Sequence, residues 1–177
     1  MMLDKDPKSI GAMGVLATLL QITERFGESA EVYQKILTLQ PDNVIAINNL
    51  AWITCEEQDK FQQALDLAEK GLKIAPNYID LMDTRGVAHY RLGEFNKAIQ
   101  DFTTCIKLYP RESASSTASR FHLARAFAAL GEKDKAIEQL NQVLNPESQT
   151  RGLSTKDLAE AKRLLDELSK GGRGKGG

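Results

Sequence analysis

This 177-residue chain is poor in the residues from which active sites, metal centres and disulfide frameworks are built. It has two histidines, His89 and His122, one tryptophan, Trp52, and two cysteines, Cys55 and Cys105. Two cysteines cannot form a disulfide framework. No His/Cys spacing suits a metal, and no glycine-rich phosphate loop or nucleophile elbow occurs. Gly11 and Gly14 are two isolated glycines, too sparse for a phosphate site. The formal net charge is −1 with 27% charged residues of both signs, which gives no strong pull toward nucleic acid or membrane. No stretch is long and apolar enough to span a bilayer, and the beginning lacks the pattern of a signal peptide. No run alternates in hydrophobicity as a strand would. A convergent acid, base or nucleophile set is missing, so the expected protein is not an enzyme and needs no cofactor or metal.

Proline is also scarce, but it is regularly placed. Pro7, Pro41, Pro76, Pro110 and Pro146 are all the prolines there are, spaced 34, 35, 34 and 36 residues apart. Other positions keep the same phase. Gly86 lies 12 residues before Ala98, which lies 12 before Pro110. Ala17, Ser29 and Pro41 repeat both steps. Leu50, Ala51, Ala64, Ala68 and Pro76 follow with one residue added between Cys55 and Lys60. Leu123, Ala124, Phe127, Gly131, Ala136, Leu140 and Val143 continue the pattern after roughly four extra residues around Arg111 to Ser116. A period near 34 is the mark of a helix–turn–helix unit written several times over.

Each recurring residue has a physical task. The small ones let two helices cross closely. The large ones, Phe26, Tyr33, Phe61, Phe95 and Phe102, fill the space beside them, each burial contributing roughly 1.5–3 kcal/mol. Gly93 and Gly131 suit a left-handed helix end. The prolines close second helices, and Asp42, Asn43 or Asn77 can cap the helix that follows. Cys105 occupies a small packing position and reads as a buried thiol.

These residues resemble the tetratricopeptide repeat over positions 10 to about 148. Met13 stands where that family prefers tryptophan, Ser29 where it prefers alanine, and Arg85 where it prefers leucine. The resemblance implies an all-α fold, a right-handed superhelical solenoid of helical hairpins. The units are expected at 10–43, 44–78, 79–112 and 113–148, the last with the insertion. A capping helix is expected at 154–169, started by Ser154 or Thr155, with the stripe Leu158, Ala161, Leu164, Leu165 and Leu168 on one face. Residues 1–9 read as the remnant of a preceding repeat, because Pro7 is in phase. Residues 170–177 read as a disordered tail. On this reading the chain is cut from a longer protein, any targeting segment lies upstream, and cytoplasm and bacterial envelope are both compatible settings.

The resemblance also implies a function: a non-catalytic scaffold that binds a peptide or helix of another protein in a concave groove lined by the first helices. Family positions carried onto this chain give Gly14, Val15, Thr18 and Gln21 in the first unit, and Ile45, Asn48, Asn49, Trp52 and Cys55 in the second. The third contributes Asp80, Asp83, Thr84, Val87, Tyr90 and Arg91, and the fourth Phe121, His122, Arg125 and Ala129. The candidate binding set is Asn48, Asn49, Trp52, Asp83, Thr84, Tyr90, Arg91, His122 and Arg125. Asn49 can grip a peptide backbone with its donors and acceptor, or bond within its own array. Trp52 can stack on a ligand or pack between the second and third units. Arg91 and Arg125 can pair with partner carboxylates, or be neutralised by Asp80 and Asp83. His122 is expected to face the groove and His89 to pack within its unit. Of the lysine, asparagine and arginine clamp that some family members use for acidic chaperone tails, only Asn49 is matched. The alternative function is a structural, self-associating array that spaces other domains.

Overall fold

A computed structural model describes residues 9–110, 113–145 and 152–170. Pro7, Pro146, the proposed remnant up to residue 8 and the tail from residue 171 lie outside the described residues. Nine α-helices and no strand are found among them. The helices are α1 (Ile10–Ile22), α2 (Phe26–Leu39), α3 (Val44–Glu56), α4 (Phe61–Ile74), α5 (Ile79–Arg91), α6 (Phe95–Leu108), α7 (Ala114–Ala129), α8 (Lys133–Leu144) and α9 (Thr155–Lys170). The chain divides into two compact halves, up to Ala88 and from His89 onward.

Helix starts and stops follow from local chemistry. Ser9, Asn43 and Ser113 accept backbone N–H groups at the starts of α1, α3 and α7, satisfying donors that the first turn cannot bond internally. Ser154 does the same for α9, accepting from the Asp157 N–H at 3.1 Å. Pro41, Pro76 and Pro110 follow the ends of α2, α4 and α6 by two residues, where a missing N–H costs nothing.

The turn from first to second helix of each hairpin uses one device. Gly93 and Gly131 adopt φ of +79° and +76°, and Glu24 and Asp59 hold the same left-handed place at 59° and 52°. After it, the N–H of Arg25, Glu94 and Glu132 bonds the carbonyl five residues earlier, at 2.8, 2.9 and 2.9 Å, closing the helix end as a Schellman motif. In the second hairpin Lys60 reaches back six residues, to Thr54 at 3.0 Å. The residue added between Cys55 and Lys60 widens that loop by one peptide and leaves the turn intact. The extra residues before the fourth hairpin are absorbed differently. They lengthen α7 to 16 residues, against 13 for α1, α3 and α5.

In the first half α1 packs on α2, α2 on α3 and α3 on α4. Met13, Ala17, Leu20, Val32, Tyr33, Ile36, Ala46, Leu50 and Ile53 make one continuous apolar cluster. Ser29, where alanine recurs elsewhere, is fully buried and donates to the Ala17 carbonyl at 2.9 Å. Its hydroxyl therefore has a partner in the tight crossing. A second cluster joins Ile47, Ala68 and Leu81. In the second half α6 packs on α7, α7 on α8 and α8 on α9. Phe121, Ala124, Leu140 and Val143 meet Ala161, Leu164, Leu165 and Leu168 of α9 there. The apolar stripe read along α9 is the face it buries. Both cysteines are buried thiols.

Candidate protein-binding surface

In the first half the candidate residues come from α3 and α5. Asn48 is half-buried, and its Oδ1 accepts a hydrogen bond from Thr84 Oγ1 at 3.0 Å. Thr84 is itself buried, so this pair ties α5 to α3 and is satisfied within the protein. Asn49 donates from Nδ2 to the Ile45 carbonyl at 2.8 Å, one turn back on its own helix. That bond uses one of its two amide hydrogens. Trp52 keeps 36% of its surface exposed, and its ring lies 5.9 Å from that of Phe26 at 57°. That ring partner lies in the first hairpin, whereas the sequence offered a ligand stack or packing between the second and third units. Ile45, one turn before Asn49, is 61% exposed. Asp83 is half-buried on α5. Cys55 and Val87 are buried and do not line a surface. On α1, Thr18 bonds the Gly14 carbonyl and Gln21 accepts from the Tyr33 hydroxyl, each at 3.0 Å.

The second half holds a separate cluster around Arg125. Its guanidinium lies 4.7 Å from the centre of the Tyr90 ring and 5.6 Å from that of Phe121. Its Nε stands 3.1 Å from Glu160 Oε1 of α9, both side chains being under a third exposed. The approach is an ion pair by distance, without the alignment of a hydrogen bond. The sequence reading offered Asp80 and Asp83 as neutralising partners and missed Glu160. The signal was out of reach, because α9 lies outside the repeat phase. Tyr90 also packs on Phe95 at 5.6 Å, and Arg91 is half-buried beside it in sequence. Phe121, carried over as a groove position, is fully buried.

His122 is wedged against aromatic rings, 5.4 Å from Phe102 in a stacked arrangement and 5.8 Å from Phe121. Burial and then the charge of Arg125 push its imidazole down from 6.5 to about 4, against the opposing pull of Asp157. It is a neutral packing residue near pH 7. His89 is buried with Nδ1 2.6 Å from Glu94 Oε2, as befits a residue that packs within its unit. Lys97 first, and then His89, hold the Glu94 carboxyl below the usual range. Among the described residues no group of three or more His, Cys, Asp and Glu side chains could hold a metal ion. No described helix is long and apolar enough to cross a membrane.

Helical hairpins in this order define an all-α helical-repeat solenoid, and the comparisons agree. The tetratricopeptide repeat family model matches residues 79–112 and again 118–145. The type IV pilus biogenesis factor PilW superposes with a TM-score of 0.72 at 21% identity, covering 96% of this chain and 79% of that one. YrrB, a tetratricopeptide-repeat protein with an unusual peptide-binding site, superposes at 0.66 and 17% identity, covering 97% and 95%. The human mitochondrial import receptor subunit TOM70 is 25% identical over 108 residues, 61% of this chain. The match spans only 18% of the receptor's length. Tetratricopeptide repeats are thus matched at these two stretches, and the solenoid fold over most of the chain.

Proposed function

We propose that this chain is a non-catalytic protein-interaction scaffold that holds an extended peptide or a helix of another protein against the first helices of its hairpins. Binding other proteins is the common work of the family, while the occupant and its site are our reading. One observation carries it. Ile45, Asn49 and Trp52 stand at i, i+4 and i+7 on α3, and both ends of that stripe expose apolar surface around a central amide. Side chains at this spacing share one helix face. Such a face offers two apolar contacts and a hydrogen-bonding group that can pair with a peptide backbone irrespective of sequence. YrrB, whose fold this chain shares, supports a peptide as the class of ligand. Asn48, Thr84 and Asp83 then support the α3 face rather than contact the ligand first. Tyr90, Arg91, His122 and Arg125 make a second candidate, of which Arg125 already has a carboxylate partner.

The test is a peptide-display selection against the chain, followed by titration of the selected peptides. We expect transient affinities in the micromolar range, about −8 kcal/mol. The Asn49→Ala, Trp52→Ala variant should lose at least about tenfold while its circular dichroism is unchanged. Peptides that bind both proteins equally would take the site off α3.

A further inference from the structure

We infer that the α3 face takes an extended segment of another protein in which an aliphatic side chain and an arginine stand three residues apart. The aliphatic side chain meets Ile45, and the arginine lies over Trp52 with its guanidinium at Glu56. This rests on α3 as the peptide face and names the ligand that such a face selects.

The stripe on α3 runs one turn beyond its apolar part. Ile45, Asn49, Trp52 and Glu56 stand at i, i+4, i+7 and i+11, so they share one face of the helix. Ile45 is 61% exposed and Trp52 36%, while Asn49 and Glu56 are half-buried. Phe26 packs on the Trp52 ring at 5.9 Å, and the exposed remainder of the indole can stack a planar cation. Glu56 is engaged within the chain, but a carboxylate has about four lone-pair sites and accepts further donors. The second half shows the same two groups at work. Arg125 lies 4.7 Å from the centre of the Tyr90 ring, with its Nε 3.1 Å from Glu160 Oε1. This protein thus already holds one guanidinium between an aromatic ring and a carboxylate.

Charge fixes the sign of the ligand. Residues 9–88 carry 11 carboxylates against six Lys and Arg side chains, a balance of −5. α1 has no charged residue, and α3 has Glu56 alone. On α5 up to Ala88 there are Asp80, Asp83 and Arg85, and Arg85 lines a cleft with Glu69, Leu72 and Lys73 of α4. Glu56 also sits at the carbonyl end of α3, the negative end of the helix dipole. An acidic surface beside exposed apolar groups suits a cationic segment and repels an acidic one. Arginine fits better than lysine, because its planar guanidinium stacks on an indole and still donates from its edge to a carboxylate.

Spacing fixes the backbone. Ile45 and Trp52 lie about 10 Å apart along the helix axis. A polyproline II segment has about three residues per turn and rises about 3.1 Å for each, so side chains three apart share one side at about 9 Å. Its backbone groups are also unpaired and can meet the Asn49 amide, whereas those of a helix are used internally.

Fluorescence anisotropy with synthetic peptides tests this. Four share one sequence, with leucine at one position and arginine, lysine, glutamine or glutamate three residues on. In a fifth the arginine directly follows the leucine. Each is titrated into the wild type, Glu56→Gln, Glu56→Lys and the Asn49→Ala, Trp52→Ala variant, after circular dichroism has shown them folded. The arginine peptide should bind the wild type at least about tenfold tighter than the glutamine peptide. Glu56→Gln should remove most of that preference while leaving the glutamine peptide within about twofold. Glu56→Lys should turn the preference toward the glutamate peptide. Equal binding of the arginine and glutamine peptides to the wild type would overturn the inference. So would a preference that survives Glu56→Gln or ignores the spacing, or no binding at all up to about 1 mM. If the peptides bind without regard to arginine yet weaken in the Asn49→Ala, Trp52→Ala variant, the α3 face stands and only the arginine fails. If that variant binds every peptide as the wild type does, the site is off α3 and both readings fall.

Discussion

A methyl group placed on Gly71 would lie 2.5 Å from Leu81 Cδ1 and 3.0 Å from Ile47 Cγ2. The same repeat position in the first hairpin is Ile36, which shares its cluster with Ala46, the counterpart of Leu81. Large meets small at both junctions, with the sizes exchanged. Gly71→Ala should therefore destabilise the chain by about 1–2 kcal/mol, because overpacking outweighs the gain in helix propensity. Adding Leu81→Ala should cost less than the two single losses summed, since the second change vacates the space the first needs. Urea denaturation of the cycle measures the coupling. Strict additivity would show that the two side chains do not compete.

Glu24 and Asp59 hold left-handed φ values that Gly93 and Gly131 adopt without steric cost. Glu24→Gly and Asp59→Gly should each stabilise by about 0.5–1 kcal/mol, and Gly93→Ala should destabilise by a similar amount or more. Thermal melts of the three variants check this, with opposite signs as the decisive outcome.

His122 makes stability depend on pH. Its folded value, about 4, lies below the unfolded 6.5, so the unfolded chain binds the extra proton between these limits. The stabilisation is complete above pH 6.5, declines as pH falls toward 4, and is lost below that. Up to about 3 kcal/mol is at stake. Denaturation midpoints of wild type and His122→Phe at pH 7, 5.5 and 4.5 should diverge on acidification, with the variant losing less. Parallel curves would show that His122 titrates normally.

Arg125 meets Glu160 and two aromatic rings at once. Glu160→Ala should cost about 0.5–1 kcal/mol, as a partly exposed ion pair does. Arg125→Ala should cost more, because the cation–π contact and the packed side-chain stem go as well. Equal losses would mean that the ion pair carries the whole contribution.

Asn43 caps α3, the helix that carries Ile45, Asn49 and Trp52. Asn43→Ala should lower stability by about 1 kcal/mol. If peptide binding depends on a well-formed first turn, affinity should fall along with hydrogen-exchange protection at the Ala46 and Ile47 amides. Unchanged exchange at these amides would show that the cap is redundant.

Much of this architecture was legible in the residues because its causes are local. The prolines at 41, 76 and 110, the capping Asn43, the left-handed Gly93 and Gly131, and the small crossing residues act over one turn or within one hairpin. Their spacing carries the period. Even the residue added before Lys60 could be read, since a phase shift of one is visible wherever the flanking repeats stay in register. The candidate site was less legible. Asn48 was expected to face a ligand and instead accepts from Thr84, a residue 36 positions away. Trp52 rests on Phe26, and Cys55, Val87 and Phe121 turned inward although family positions placed them on the surface. A 3.6-residue period assigns a face only to within a neighbouring position, which is enough to decide burial wrongly.

By itself the amino-acid sequence determined the all-α hairpins, their period and their turns. These depend on backbone preferences and on hydrophobic spacing, both of which are written residue by residue. Only the tertiary structure decided which polar groups are taken up inside the protein, as with Asn48 by Thr84 and Arg125 by Glu160. It alone also showed which apolar side chains stay in water, as at Ile45 on α3. Those outcomes depend on which helix lies across which, a distance in space that no single segment of the chain encodes.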